Sequence, residues 1–228
     1  MAANPALRAA GGFREIKLNK IRPLSPALAD SVLMLPAMVT ADECAHLAAA
    51  ADRWCVDQVG KTVLPDYHQR PGLTRVECHV DGLNLDGKAH ALAMIILSRA
   101  LWNLEALRPN DALRIFNQRA SLGDMMFAFS GHEPAINRYT AGGRFDAHED
   151  KHMLTVLVPL SPNDAFEGGG TGFWSEELSR RGEPSLVLRP EPGTALFWTG
   201  QITHAGLPVL SGTRHVFVCS FDLYTCNL

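Results

Sequence analysis

Between a Gly-Gly turn and a β-branched apolar run, residues 137–159 carry His148 and Asp150 two positions apart. In an extended backbone, residues i and i+2 project from the same side, so an imidazole and a carboxylate there can converge on one metal ion. A third donor is suggested by His204, a lone histidine ahead of the strand-like run at residues 216–221. The resulting set is two histidines and one carboxylate drawn from two distant stretches.

Three such donors on one face of an octahedron leave the opposite face open, which is the arrangement used by non-haem Fe(II) oxygenases. The same residues admit a rival. His148-Glu149-Asp150-Lys151-His152 spells H-E-x-x-H, which on a helix sets two zinc-binding histidines one turn apart with a glutamate as general base. That helix would have to run from Gly142-Gly143 through Thr155, Val156 and Val158 to Pro159, against the preferences of glycine, β-branched residues and proline. On the strand reading, Glu149 and His152 are neighbours of the site rather than ligands. His46 falls on the polar side of a helix, and His68 and His79 have no ligand-spaced partner.

The elements that must position these donors can be read around them. Residues 1–31 are rich in Ala, Pro and Gly and suggest a loose arm with an outer strand around residues 13–18. Thr40-Ala41-Asp42-Glu43 matches a capping box and predicts a helix to about Arg53. Residues 75–80 alternate like a half-buried strand, and residues 88–107 form the strongest helical pattern, ending before Pro109. Residues 108–133 read as polar turns around Met125-Met126, with Phe127 and Phe129 in core or pocket wall. From residue 135 onward the texture changes to short strands, at residues 137–139, 154–160, 171–174, 185–188, 194–198 and 215–223, separated by Gly-, Pro- and Asn-rich turns. The implied fold is mainly β: a double-stranded β-helix, or jelly roll, with supporting N-terminal α-helices. Residues 32–228 then make a single catalytic domain behind the arm, with helical support over 32–134 and the jelly-roll core over 135–228.

Composition bounds the remaining choices. With 228 residues, 46% of them hydrophobic, the chain can bury one substantial core and is short for two. A net charge of -3 shows no basic excess, so neither nucleic acid nor an anionic membrane is indicated as a partner. Five cysteines without a C-x-x-C pair argue against a disulfide framework and a thiolate zinc site, and fit a reducing compartment. The cytoplasm is the expected location. The first acid is Glu15, which leaves room for a short organelle-targeting leader.

Residues 137–223 resemble the catalytic domain of the prolyl and lysyl hydroxylase branch of the Fe(II)/2-oxoglutarate-dependent oxygenases. The likeness rests on ordered motifs: Arg138-Tyr139 with Gly142-Gly143, His148-x-Asp150, the acidic-Gly-Gly turn at Glu167-Gly168-Gly169, Pro192-Gly193 before a strand, and His204 followed by Gly212-Thr213-Arg214. The resemblance implies that His148, Asp150 and His204 hold Fe(II) and form the catalytic set. It further implies that Arg214 anchors the distal carboxylate of 2-oxoglutarate, with Tyr139 adding a hydroxyl hydrogen bond; a guanidinium fork suits that carboxylate. Dioxygen is then the co-substrate and ascorbate a supporting reductant. The implied reaction hydroxylates an unactivated C–H bond of a prolyl or lysyl side chain, releasing succinate and CO2. Collagen-type prolyl hydroxylases usually carry Lys where this chain has Arg214, whereas lysyl and oxygen-sensing prolyl hydroxylases use Arg, which leaves the target residue open; a peptidyl prolyl or lysyl side chain is the first expectation and a free amino acid or other small metabolite the second. No second arginine follows Arg214 closely, unlike the demethylases of alkylated nucleic acid. A zinc peptidase and a catalytically silent jelly-roll binding module are the readings from other classes, and oligomeric state is not readable.

Overall fold

The computed structural model describes residues 13–15, 32–58, 69–78, 85–115, 125–150, 152–175 and 182–226. His68, His79 and the arm apart from residues 13–15 lie outside the described residues. The chain opens with β1 (Phe13–Glu15) and β2 (Leu33–Leu35), then α1 (Ala41–Gln58). The capping box forms as its chemistry requires. Thr40 Oγ1 accepts from the Glu43 N–H at 3.2 Å, and the Glu43 carboxylate accepts from the Thr40 N–H at 2.9 Å. The helix runs past Arg53 to Gln58.

Next come β3 (Gln69–Arg70), β4 (Leu73–Glu77) and α2 (Gly87–Leu107), whose N-cap Asp86 accepts from the Ala89 N–H at 2.9 Å. The stretch read as polar turns instead contains α3 (Pro109–Ile115) and β5 (Met125–Phe129). Pro109 stops α2, but it also fits the first position of a new helix, where no N–H is needed. The remaining strands are β6 (Ala135–Tyr139), β7 (Phe145–His148), β8 (Leu154–Pro159), β9 (Phe166–Gly168), β10 (Thr171–Phe173), β11 (Leu186–Leu188), β12 (Ala195–Thr199), β13 (His204–Gly206), β14 (Val209–Gly212) and β15 (Arg214–Cys226).

Two sheets face each other, as expected for a double-stranded β-helix. The larger has the order β2-β12-β8-β15-β6-β4-β3, with β1 and β5 both pairing β15; the smaller has the order β11-β10-β13-β7, and β14 pairs β9. The stretch before residue 135 thus supplies strands as well as helices. One core lies between helices and the large sheet, joining Leu47 and Ala51 of α1, Ile96 and Leu101 of α2, and Val156, Phe217 and Phe221 of the sheet. A second lies between the sheets and contains Leu157, Leu196, Trp198, Phe173 and Val216. Val156 and Leu157 belong to different cores because neighbouring strand residues face opposite ways. Among the described residues, no helix is long and apolar enough to cross a membrane.

Helix α1 is fastened to the sheet by a polar tie. The Ser161 hydroxyl lies 3.0 Å from His215 Nδ1 and also accepts the His215 backbone N–H at 2.8 Å, while His215 Nε2 lies 3.0 Å from Asp52 Oδ1. Arg138 Nε donates to the same Asp52 oxygen at 2.6 Å. The His215 bond, more than the Arg138 ion pair, holds the Asp52 carboxyl down at about 2 despite partial burial. A depressed carboxyl contributes stability that is complete above its unfolded value near 3.8 and disappears as pH falls toward 2. Asp52→Asn should therefore lower the unfolding free energy read from urea titration at neutral pH, by about 1 kcal/mol or less because half-exposed pairs are screened. The gap to wild type should close between pH 4 and pH 2; a pH-independent gap would assign the effect to something other than this charge.

Candidate metal centre

Strand β7 ends at His148 and β13 begins at His204, and the register of their pairing sets these two residues directly opposite each other. Their rings lie 4.3 Å apart between centroids. Asp150 follows β7 by two residues and turns back toward both, with Oδ1 3.4 Å from His148 Nε2 and Oδ2 3.5 Å from His204 Nε2. One donor atom from each residue falls within 4.8 Å of the others, the cluster that could hold a metal ion among the described residues.

The two imidazoles are oriented alike. His148 Nδ1 lies 2.8 Å from the Asp146 carbonyl, and His204 Nδ1 lies 2.9 Å from the Ile202 carbonyl. A carbonyl only accepts, so each Nδ1 carries a proton, and each Nε2 is directed toward Asp150, where it can give a lone pair to a metal ion once it holds no proton itself. The Thr155 hydroxyl at the start of β8 donates to Asp150 Oδ2. Burial alone would raise the Asp150 carboxyl, but the His148 bond, the His204 charge and Thr155 hold it at about 2. Burial pushes His204 below the usual histidine range; His148 is pulled down by burial too, yet its bond to Asp150 carries it above that range. Two neutral-capable imidazoles and an ionised carboxylate form a donor set suited to Fe(II).

The H-E-x-x-H helix does not form, since Phe145–His148 is a strand. His152 turns to Asp222, Nδ1 to Oδ2 at 3.2 Å, and Glu149 accepts from the Thr203 hydroxyl at 3.3 Å. His46 bonds Asp86 at 3.3 Å, away from the cluster.

The triad opens into a cavity of about 320 Å³ that Tyr139 and Arg214 also line, so the five residues singled out in the sequence meet in one place. Arg214 starts β15 and pairs across to Tyr139 on β6. Its side chain is buried, at 4% exposure. The guanidinium donates to Thr171 Oγ1 at 3.2 Å and stands 5.3 Å from the centroid of the Tyr139 ring. Among the described residues no carboxylate pairs with it, and burial pulls its pKa down. Glycines make the room: a Cβ on Gly169, whose φ is +65°, would meet Arg214 Cδ at 3.2 Å, and one on Gly206 would meet the Tyr139 hydroxyl at 2.9 Å. Burial raises the Tyr139 phenol, which stays protonated and accepts from Asn137 Nδ2 at 3.4 Å.

The sequence reading missed the other wall. Glu133, 7% exposed, takes Arg75 Nη2 as an ion-pair partner and accepts both the backbone N–H and, at 2.6 Å, the hydroxyl of Ser220. Arg75 also reaches Asn137 Oδ1 at 3.4 Å, its cross-strand partner on β6. Trp198 was missed as well. It packs edge-on to His204 with centroids 4.8 Å apart and to Phe173 at 5.3 Å, and its indole N–H finds no acceptor among the described residues. Only alternation in residues 75–80 hinted at Arg75, and nothing local marked Glu133 or Trp198.

Comparison with known proteins agrees with this geometry. Residues 134–221 match the family model described as the 2OG-Fe(II) oxygenase superfamily. A PKHD-type hydroxylase from Synechococcus is 29% identical over 100 residues, 41% of this chain and 43% of that protein. The chain thus spans less than half of that curated relative. Among solved structures, a viral collagen prolyl hydroxylase from Paramecium Bursaria Chlorella virus-1 superposes with a TM-score of 0.52 at 16% identity, covering 86% of this chain and 97% of that one. A Pseudomonas putida prolyl-4-hydroxylase gives 0.52 at 16% identity over 84% and 92% of the two chains. A Trichoplax adhaerens prolyl hydroxylase bound to a hypoxia inducible factor peptide gives 0.51 at 13% over 84% and 83%. At such identities these likenesses speak for the fold alone.

Metal titration by calorimetry with Mn(II) in place of air-sensitive iron should separate ligands from neighbours. Asp150→Ala is expected to lose binding by more than about 100-fold, Thr155→Val to weaken it roughly 10-fold as a support of the carboxylate, and His152→Ala to leave it within a few-fold. The reverse order for Asp150 and His152 would return the site to the H-E-x-x-H pattern.

Proposed function

We propose that the chain, whose residues 134–221 match the model of the 2OG-Fe(II) oxygenase superfamily, is an Fe(II)- and 2-oxoglutarate-dependent dioxygenase that hydroxylates a prolyl or lysyl side chain of a peptide. His148 and His204 would hold the iron through Nε2 and Asp150 through its carboxylate. When bound, the iron couples the oxidative decarboxylation of 2-oxoglutarate by dioxygen, which yields succinate and CO2, to hydroxylation of a substrate C–H bond.

The observation that carries this reading is Arg214. A guanidinium buried in a cavity wall with no carboxylate partner among the described residues calls for an anion from outside, and here it shares a cavity with three convergent metal donors. Arg214 and Thr171 would take the distal carboxylate of 2-oxoglutarate, the guanidinium with two parallel N–H donors. The Tyr139 hydroxyl, kept protonated by burial, can donate to the same ligand. Phe145, Leu157 and Trp198 contribute apolar surface to the cavity and keep water from the reacting end.

Charge around the cavity supports a prolyl target over a lysyl one. Glu133 is held by Arg75 and Ser220, Asp150 by the triad and Thr155, and Glu149 by Thr203, so each lining carboxylate among the described residues already has partners. A lysyl ammonium would need one of them, whereas a pyrrolidine ring needs none. The peptide-bound Trichoplax structure is in line with a peptide substrate. Free thiols at Cys44, Cys55, Cys78 and Cys219 support a reducing compartment, the cytoplasm.

The test is succinate formation from 2-oxoglutarate by the Fe(II)-loaded protein with ascorbate, slow without substrate and faster with a proline-containing peptide. Absence of succinate at verified metal occupancy would leave a silent jelly-roll binding module. Arg214→Leu should weaken 2-oxoglutarate by about 2–5 kcal/mol, because it strands a desolvated carboxylate. Arg214→Lys keeps the charge but loses the fork, so its loss should be milder. Both variants should retain the metal. Unchanged 2-oxoglutarate affinity in Arg214→Leu would remove this residue from the site.

A further inference from the structure

The face of α2 that packs inward is apolar, with Leu92, Ala93, Ile96, Leu97, Ala100, Leu101 and Leu104 buried. The opposite face should then be polar and charged throughout. It is not. Along it run Lys88, Ala91, Ile95, Ser98, Trp102 and Glu105, with Ile95 49% and Trp102 60% exposed. These positions alternate at intervals of three and four residues, the spacing of a helix–helix seam.

The order of the six is self-complementary about the helix midpoint. A two-fold axis passing between Ile96 and Leu97 sets Lys88 against Glu105 of a second copy, Ala91 against Trp102, and Ile95 against Ser98. Every charge then meets its opposite and every large side chain meets a smaller one. In a parallel pairing Lys88 would face Lys88, Glu105 would face Glu105, and the two Trp102 rings would collide. From this complementarity we propose that α2 is the interface of an antiparallel homodimer, an isologous contact in which each copy presents the same face. An unrelated partner would have no need of a pattern symmetric about the midpoint of this helix.

The size of the seam sets the strength of the association. A 21-residue helix is about 31 Å long, and one such pair buries less than the roughly 1,600 Å² of a standard stable interface. The dimer is therefore concentration-dependent, and it leaves the metal site of each copy on its own jelly roll.

Sedimentation equilibrium of the full chain from low micromolar to near-millimolar concentration is the test. The mass should rise from 24.9 kDa toward twice that value. Trp102→Glu should abolish the rise. Lys88→Glu should weaken association roughly tenfold, since the axis repeats each charge contact, and the double exchange Lys88→Glu with Glu105→Lys should restore it. Melting temperatures of the variants report whether the fold is kept, and the charge exchange keeps the proposal testable if Trp102→Glu does not fold. A chain that stays monomeric overturns the proposal, including one whose Trp102 is shielded from hydroxyl-radical oxidation by another part of the same chain. So does a dimer indifferent to Trp102→Glu, or a double exchange no better than Lys88→Glu alone.

Discussion

A cation taken out of water and given only a hydroxyl and an aromatic face is under several kcal/mol of desolvation pressure to swing back to solvent. Among the described residues Arg214 is in that position, and the architecture around it is what prevents the swing. It starts a 13-residue strand held between β6 and β8, so its backbone cannot lift. Tyr139 fills the cross-strand position, and Gly169 passes close enough that a larger residue would press on the side chain. The charge is thus kept where an anion would meet it, which is the preorganisation that a binding site requires.

The same strand divides the molecule. Arg214, Val218 and Ser220 line the cavity, while His215, Phe217, Cys219 and Phe221 face the helices. A slip of one residue would exchange these sets, moving the guanidinium into the apolar core and Phe217 into the cavity. The register is pinned from both faces. On the helix side His215 binds Asp52 and Ser161, and on the cavity side Ser220 binds Glu133 through its N–H and its hydroxyl. Burial thus forbids the one-residue slip, and the polar ties add partners that a two-residue slip, which keeps the faces, would break.

Legibility in the sequence followed the range of each interaction. His148 and Asp150 could be read because two residues of strand spacing orient them, and the competing helix was excluded by the residues that flank it. Arg214 and Tyr139 needed ordered motifs, since their meeting depends on β15 pairing β6. Arg75 and Glu133 stayed hidden because an ion pair across 58 residues leaves no local trace. Likewise β5 was not read: Met125–Phe129 has no clean alternation, and it becomes a strand because β15 extends far enough to pair it. Pro109 misled for the opposite reason, as a strong local signal with two meanings, the end of one helix and the start of the next.

The two histidines show how a distant pairing can still give an ordered site. Each donates Nδ1–H to the carbonyl two residues before it, His148 to Asp146 and His204 to Ile202. Ring orientation is thereby set within each segment, and the β7–β13 register has only to bring two already oriented rings face to face. Asp150 lacks such a local bond and takes Thr155 from β8 instead. Phe145, Phe173 and Trp198 then pack the rings from the sides. These supports are hydrogen bonds and aromatic contacts made by the chain's own residues, so the direction of each donor follows from its own strand and the side chains packed beside it.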